Sequence, residues 1–167
     1  MTQEFIAELQ QEAETTRALL AAVPESSFDW SPHAKSMSIG KLATHVATIP
    51  GKIMQMLDGD SFDMSSIEPV PSSYRTPEAL VSCFDDGVRS ACEILSRWDE
   101  NKLDGMWQFT ADGKPFMEKA RKSWVRMLVL NHLYHHRGQL SVYLRLLDVP
   151  VPSVYGPTAD VNPFASA

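Results

Sequence analysis

Three of the chain's five histidines fall in one stretch, Asn131-His132-Leu133-Tyr134-His135-His136-Arg137-Gly138-Gln139-Leu140. Side chains on a helix advance about 100° per residue, so His132 and His136 share a face one turn apart. Imidazoles at that spacing, with Cβ atoms about 6 Å apart, can both reach a single metal ion. Neutral imidazole suits zinc, nickel, copper and iron. A third ligand has to come from another element. The candidate is His45, in Lys41-Leu42-Ala43-Thr44-His45-Val46. His33, in Trp30-Ser31-Pro32-His33, precedes that segment and would stand at the mouth of the fold. A lone histidine on an apolar face is ordinarily a hydrogen-bonded core residue. Two uncharged imidazoles side by side need separate partners, however, and a Leu/Val/Met interior supplies these poorly.

The elements that position these residues can be read from periodicity. With His132 set at zero on a helical wheel, Val125, Leu128, Val129, Tyr143 and Leu146 all fall within about 60° of it. The stripe so defined is centred on His132, which turns His132, His136 and Gln139 inward. His135 then lies at the edge of the stripe, with Arg137, Ser141 and Arg145 on the opposite side. His45 stands about 75° from the centre of its own helix's stripe, on the flank.

The 3.6-residue period recurs in four segments. The first carries Ile6, Leu9, Ala13, Thr16, Leu20 and Val23 and is stopped by Pro24. The second follows Ser38 as N-cap and runs to Asp58-Gly59, with a kink expected at Pro50. The third opens with Thr76-Pro77-Glu78 and carries Leu80, Phe84, Val88, Ala91, Leu95 and Trp98. The fourth spans Glu118 to Leu147. Between them, 58–74 reads as a solvated crossover. Residues 101–117 hold Asp112-Gly113 between aromatic residues, the mark of a short hairpin. The proline-rich tail 150–167 carries Val151, Val154, Tyr155 and Phe164, which are expected to pack on the body. Four amphipathic segments that cannot bury their stripes singly imply an all-α four-helix bundle with one long crossover, in a single domain over 1–167.

Composition removes several alternatives. The chain has 167 residues, 44% apolar, with a net charge of −6. That suits one ordered core and excludes a disordered chain. No apolar run approaches the ~20 residues of a membrane helix. Met1-Thr2-Gln3-Glu4-Phe5 has no secretory pattern. Cys83 and Cys92 lie ~13 Å apart along one helix, too far for a disulfide, so a reduced, cytoplasmic protein is expected. Lys114, Lys119, Arg121, Lys122 and Arg126 form a basic cluster, Lys119, Lys122 and Arg126 sharing one helix face. A solvated face is its ordinary reading, and nucleic acid is not expected on so acidic a chain. Asp58-Gly59-Asp60-Ser61-Phe62-Asp63 is not a calcium loop, because Phe62 stands where an oxygen ligand is required.

The histidine stretch, continued by Val142-Tyr143-Leu144-Arg145, resembles the signature of the DinB-like proteins. Pro32-His33-Ala34-Lys35-Ser36-Met37-Ser38-Ile39-Gly40 leading into Leu42-Ala43-Thr44-His45 is similar to that family as well. So is the tail Pro150-Val151-Pro152-Ser153-Val154-Tyr155-Gly156-Pro157-Thr158-Ala159-Asp160. The resemblance implies a four-helix bundle with crossover order, a homodimer, and a divalent ion, nickel or zinc, held by His45, His132 and His136. Relatives in the wider superfamily include thiol-dependent transferases and isomerases.

Three protein nitrogens leave positions open on such an ion, as in reactive sites, and no anionic ligand neutralises its charge. A bound thiol or water would be strongly acidified. A low-molecular-weight thiol attacking an electrophilic small molecule is the reading that follows, with Gln139 in the second shell of ligands. Metal-dependent hydrolysis, or a non-enzymatic metal-binding stress-response protein, are the alternatives. No catalytic base stands out. His135 and His33 could serve, although a surface histidine is the commoner reading of each.

Overall fold

A computed structural model describes residues 1–66 and 74–165 of the chain. Helix α1 (Thr2–Ala21) buries Leu9, Ala13, Thr16 and Leu20 of the expected stripe, together with Phe5, Glu12 and Leu19. Helix α2 (Ile39–Asp58) opens where Ser38 accepts a hydrogen bond from the Lys41 N–H at 3.3 Å, and it runs unbroken through Pro50. Helix α3 (Pro77–Arg97) opens on Thr76, whose hydroxyl accepts from the Ala79 N–H at 3.2 Å, with Pro77 at the first position. Its buried line is Leu80, Phe84, Val88, Ala91 and Leu95, with Trp98 capping the end.

Helix α1 packs on α3, α3 on α2, α2 on the last helix, and the last helix back on α1. Consecutive α1 and α2 are therefore separated in that ring, as the crossover requires. The tightest approach is between α2 and α3 at Gly51 and Gly87. A Cβ on Gly51 would stand 2.9 Å from the Gly87 Cα, so Gly51 excludes a side chain, and a Cβ on Gly87 would be tight at 3.1 Å from the Gly51 N. No helix among the described residues is long and apolar enough to cross a membrane.

The all-α expectation is corrected by a three-stranded sheet. Strand β1 (Ser61–Asp63) pairs in parallel with β2 (Met106–Ala111), preceded by the short helix α4 (Glu100–Asp104). β2 pairs antiparallel with β3 (Lys114–Ala120). The hairpin falls on Asp112-Gly113, whose φ values of 51° and 74° fit a two-residue turn with both residues left-handed. Strand β1 lies in the segment read as a solvated crossover. Asp63 ties the two together, accepting from the Gly113 N–H at 2.8 Å and the Thr110 hydroxyl at 2.9 Å. Three residues are too few to show a period of two, and their partner strand lies over 40 residues away. Residues 67–73 of the expected crossover and 166–167 of the tail lie outside the described residues.

The last helix begins three residues later than expected. Glu118, Lys119 and Ala120 complete β3, so Lys119 does not share a helix face with Lys122 and Arg126. Helix α5 (Arg121–Trp124) leads without a break into a π-helical stretch, Val125–Asn131, and then into α6 (His132–Leu146). The buried line of α6 is Leu133, Arg137, Leu140 and Leu144. Leu146 is 56% exposed and Arg137 only 2%. Val125 and Val129 of the expected stripe are buried, but downstream of His132 the buried line lies about a third of a turn from it, because the π-helical stretch breaks the 100° progression on which the wheel rests.

Arg137 is buried because it is fully partnered. Its guanidinium stands 2.6 Å from the Glu12 carboxylate and donates to the Glu12 carbonyl, to the Thr15 and Thr16 hydroxyls and to the Tyr155 hydroxyl. The tail is held there, by buried Val151, and by Asp160 on Arg145. Phe164 and Tyr155, both expected to pack, are 65% and 73% exposed, Tyr155 joining the body through its hydroxyl.

Candidate metal centre

Helix α2 brings His45, and α6 brings His132 and His136, to one place. The Nε2 atoms of His45 and His132 stand 3.1 Å apart. Ring centroids are 4.9 Å (His45–His132), 4.5 Å (His45–His136) and 4.7 Å (His132–His136) apart. One ring nitrogen from each lies within 4.8 Å of the others. All three rings are half-buried.

The surroundings select the tautomers. His136 Nδ1 lies 2.7 Å from Gln139 Oε1, a carbonyl-type acceptor, so Nδ1 carries the proton and Nε2 keeps its lone pair. His132 Nδ1 is buried without a partner inside hydrogen-bonding geometry, and the Leu128 carbonyl one turn back is the acceptor nearest in kind. A proton on that nitrogen leaves the His132 Nε2 lone pair aimed at His45. Two facing lone pairs repel unless a proton or a cation lies between them.

Burial holds all three imidazoles neutral. It pushes His45 down to about 4, helped by repulsion from His136, His132 and Lys52. His132 is lowered by burial first and by His136 next. His136 is lowered by burial, against the hydrogen bond to Gln139. Neutral rings are the form that ligates. Two nitrogens bound at about 2.05 Å to one tetrahedral ion stand about 3.3 Å apart, close to the 3.1 Å of the His45–His132 pair. The donor set fits a borderline divalent ion and could hold one without any carboxylate.

Two clefts meet at His45. One, of about 320 Å³, is lined by Phe28, Asp29, Lys41, Thr44, Tyr74 and Arg75 among others, with Arg75 paired to Asp29 at 2.8 Å. The other, of about 680 Å³, is mainly apolar and reaches both His45 and His132. The expected inward placement is therefore amended. His132 and His136 stand on the flank of the α6 core line, half-buried, and His45 and His132 open onto clefts.

Gln139, expected inward with His136, is half-buried, and its Oε1 lies 2.7 Å from His136 Nδ1. His135 is exposed, its ring edge-on to that of His136 at 4.7 Å, and it stands outside the three-nitrogen group. His33 is exposed too; its Nδ1 accepts from the Lys35 N–H at 3.1 Å, and it does not join the group. Sequence reasoning missed Thr48, Ile49, Lys52 and Met56, which line the larger cleft. Their spacing from His45, at three, four, seven and eleven residues along one helix, is the signal that could have found them.

The DinB family model matches residues 1–161. The chain is 23% identical over 157 residues to the uncharacterized protein YrdA of Bacillus subtilis strain 168, covering 93% of this chain and 89% of that protein. Among solved structures it is similar to a DinB-like protein from Bacillus cereus ATCC 10987. The TM-score is 0.71 and the identity 22%, covering 90% of this chain and 95% of the other. It is also similar to the DinB-like protein YjoA of Bacillus subtilis, with a TM-score of 0.68 and 17% identity over 90% of this chain and 97% of that one. At those identities the structural likeness speaks for the fold, and the family match over nearly the whole length places the chain: it belongs to the DinB family.

Proposed function

We propose that His45, His132 and His136 hold one divalent transition metal ion, nickel or zinc, and that the protein transfers a low-molecular-weight thiol to an electrophilic small molecule. The observation that carries this reading is the convergence of three neutral imidazoles at a point where two clefts of different chemistry meet. When bound, such an ion supplies a Lewis acid that favours the thiolate form of a thiol.

The chain's own residues prepare that chemistry. Gln139 fixes the His136 ring by accepting its Nδ1 proton. His45 from α2 and His132 and His136 from α6 would hold the ion, and the clefts reach His45 and His132. The smaller cleft, with Lys41, Thr44 and Tyr74, offers polar partners to a thiol cofactor. In the transfer, a bond forms between thiol sulfur and substrate carbon as the bond from that carbon to its leaving group breaks. The leaving group departs with the electron pair, and the thiol proton passes to solvent.

The reading takes the protein as a four-helix bundle of DinB type, acting as a cytoplasmic homodimer in a single domain. Two free cysteines suit a reducing compartment, and exposed Val142 and Leu146 on α6 offer a second copy an apolar face.

Elemental analysis of the natively purified protein, with His132→Ala alongside, tests the ion. About one equivalent in wild type and a loss in the variant is expected. A panel of thiols and electrophiles then tests transfer. Stoichiometric metal with no turnover across the panel would make the protein a metal binder rather than an enzyme.

A further inference from the structure

The larger cleft has a composition that three histidine ligands do not require. Ile49, Ile53 and Met56 from α2, Phe62 from β1, Phe109 from β2 and Leu128 from the π-helical stretch line a cavity of about 680 Å³. That volume lies within the about 300–1,000 Å³ usual for small-molecule sites. The wall exists only because β1 pairs with β2 and sets the Phe62 and Phe109 rings edge to face, 6.3 Å apart. Of the six, all but Ile49 are half-buried rather than buried. Apolar surface left in water costs about 25 cal/mol per Å², so core packing does not account for a concave wall of this kind.

The charge on the cleft is one-sided. Lys52 lines it, no described lining residue is acidic, and the chain as a whole is at −6. Lys52 takes part in none of the ion pairs among the described residues. It stands seven residues after His45, two turns along the same face of α2.

We infer that this cleft binds the electrophilic substrate and that the substrate is an amphiphilic anion. Its apolar or aromatic body lies against Ile53, Phe62 and Phe109, and its carboxylate or sulfonate pairs with Lys52. The word substrate rests on the thiol-transfer reading; binding of the anion does not, since apolar burial and one ion pair need no metal.

The test uses the full-length, metal-free protein and two fluorescent probes. One is 8-anilinonaphthalene-1-sulfonate, apolar and anionic; the other is N-phenyl-1-naphthylamine, apolar and uncharged. Both are expected to bind saturably at one equivalent, with the near-UV circular dichroism unchanged. Lys52→Met is expected to weaken the sulfonate five- to tenfold and Lys52→Glu further, with the uncharged probe unmoved within twofold. Ile53→Asp is expected to weaken both at least tenfold. The lysine variants are exposed substitutions, so they decide the matter even if Ile53→Asp does not fold. No saturable binding, several equivalents bound, or equal effects of Lys52→Met on the two probes would overturn the inference. The two proposals fail separately. One-to-one binding that responds to Lys52, with no thiol conjugation by the metal-loaded protein, sinks the transfer reading and leaves the anion site standing.

Discussion

Glu12 and Arg137 form a buried ion pair, 8% and 2% exposed, and the helix it anchors is the one that carries His132 and His136. Arg137 Nη2 lies 2.6 Å from Glu12 Oε2, and the Tyr155 hydroxyl donates to the same oxygen at 2.8 Å. Nη1 donates to the Glu12 carbonyl at 3.2 Å, the Thr15 hydroxyl at 2.8 Å and the Thr16 hydroxyl at 3.2 Å. Glu12→Ala removes the only carboxylate among the described residues that pairs with this guanidinium and leaves its charge inside the protein. Breaking such a pair costs about 3–5 kcal/mol, against at most about 1 kcal/mol for an exposed one. At about 3 °C per kcal/mol for a chain of this size, the midpoint of thermal unfolding should fall by about 9–15 °C. Arg137→Met should cost a similar amount, because it strands the Glu12 carboxylate. The double variant Glu12→Ala/Arg137→Met should lose less than the two singles summed, with a coupling of about 2–3 kcal/mol. Urea unfolding followed by circular dichroism measures all three. Additive singles, or a loss below about 1 kcal/mol for Glu12→Ala, would show that the pair behaves as a surface pair and refute the reasoning.

Three further outcomes are expected. Gln139→Ala frees the His136 ring and should weaken zinc or nickel binding about 10–100-fold by isothermal titration, while Gln139→Glu, which keeps an acceptor, should restore most of it. Gly87→Ala sets a Cβ 3.1 Å from the Gly51 N and should lower stability by about 1–3 kcal/mol in urea, although alanine is the better helix former. His45 is held at about 4 in the fold against an ordinary 6.5. Above pH 6.5 it is neutral in both states; between 6.5 and about 4 only the unfolded chain takes the proton. The metal-free protein should therefore lose stability on acidification across that window, and His45→Asn should flatten the curve there without changing its shape above pH 7. Thermal scans from pH 4 to 8 decide this, and identical slopes for the two proteins would count against it.

Most of the helical body was legible because its signals are local. Ser38 and Thr76 are caps that bond within three residues of themselves, and Pro77 and Asp112-Gly113 act on their own backbone. The stripe of α3 could be read position by position because nothing interrupts its period. What escaped depends on partners distant in the chain. Strand β1 is three residues long and gains its identity from β2, with Gln108, Phe109 and Thr110 opposite Ser61, Phe62 and Asp63. Arg137 reads as a solvent residue by type; only Glu12, Thr15, Thr16 and Tyr155, more than a hundred residues upstream or on the tail, make its burial possible. The histidine pair could be found from spacing alone, since i and i+4 coincide on any regular helix. The companionship of His45 depended on tertiary packing that the wheel left open.

The same misreading explains why the site can be open. Val125, Val129 and Leu130 are buried upstream of His132, and Leu133, Arg137, Leu140 and Leu144 are buried downstream. On one uninterrupted α-helix Val125 and Val129 would lie at about +20° and +60° from His132, Leu130 at about +160°, and the downstream group between about +80° and +140°. Val125 and Val129 would then stand off the line that Leu130 and the downstream residues share. A π-helical turn holds one extra residue, a phase change of up to about 100°, and Val125–Asn131 places it immediately before His132. Both apolar sets can then face the core, while His132 and His136 rotate onto the flank beside α2. With the period undisturbed and the stripe centred on His132, the imidazoles would point into packed leucine and valine, where an ion could be enclosed but no substrate could reach it. The register break reconciles a closed core with a reactive face on the same helix.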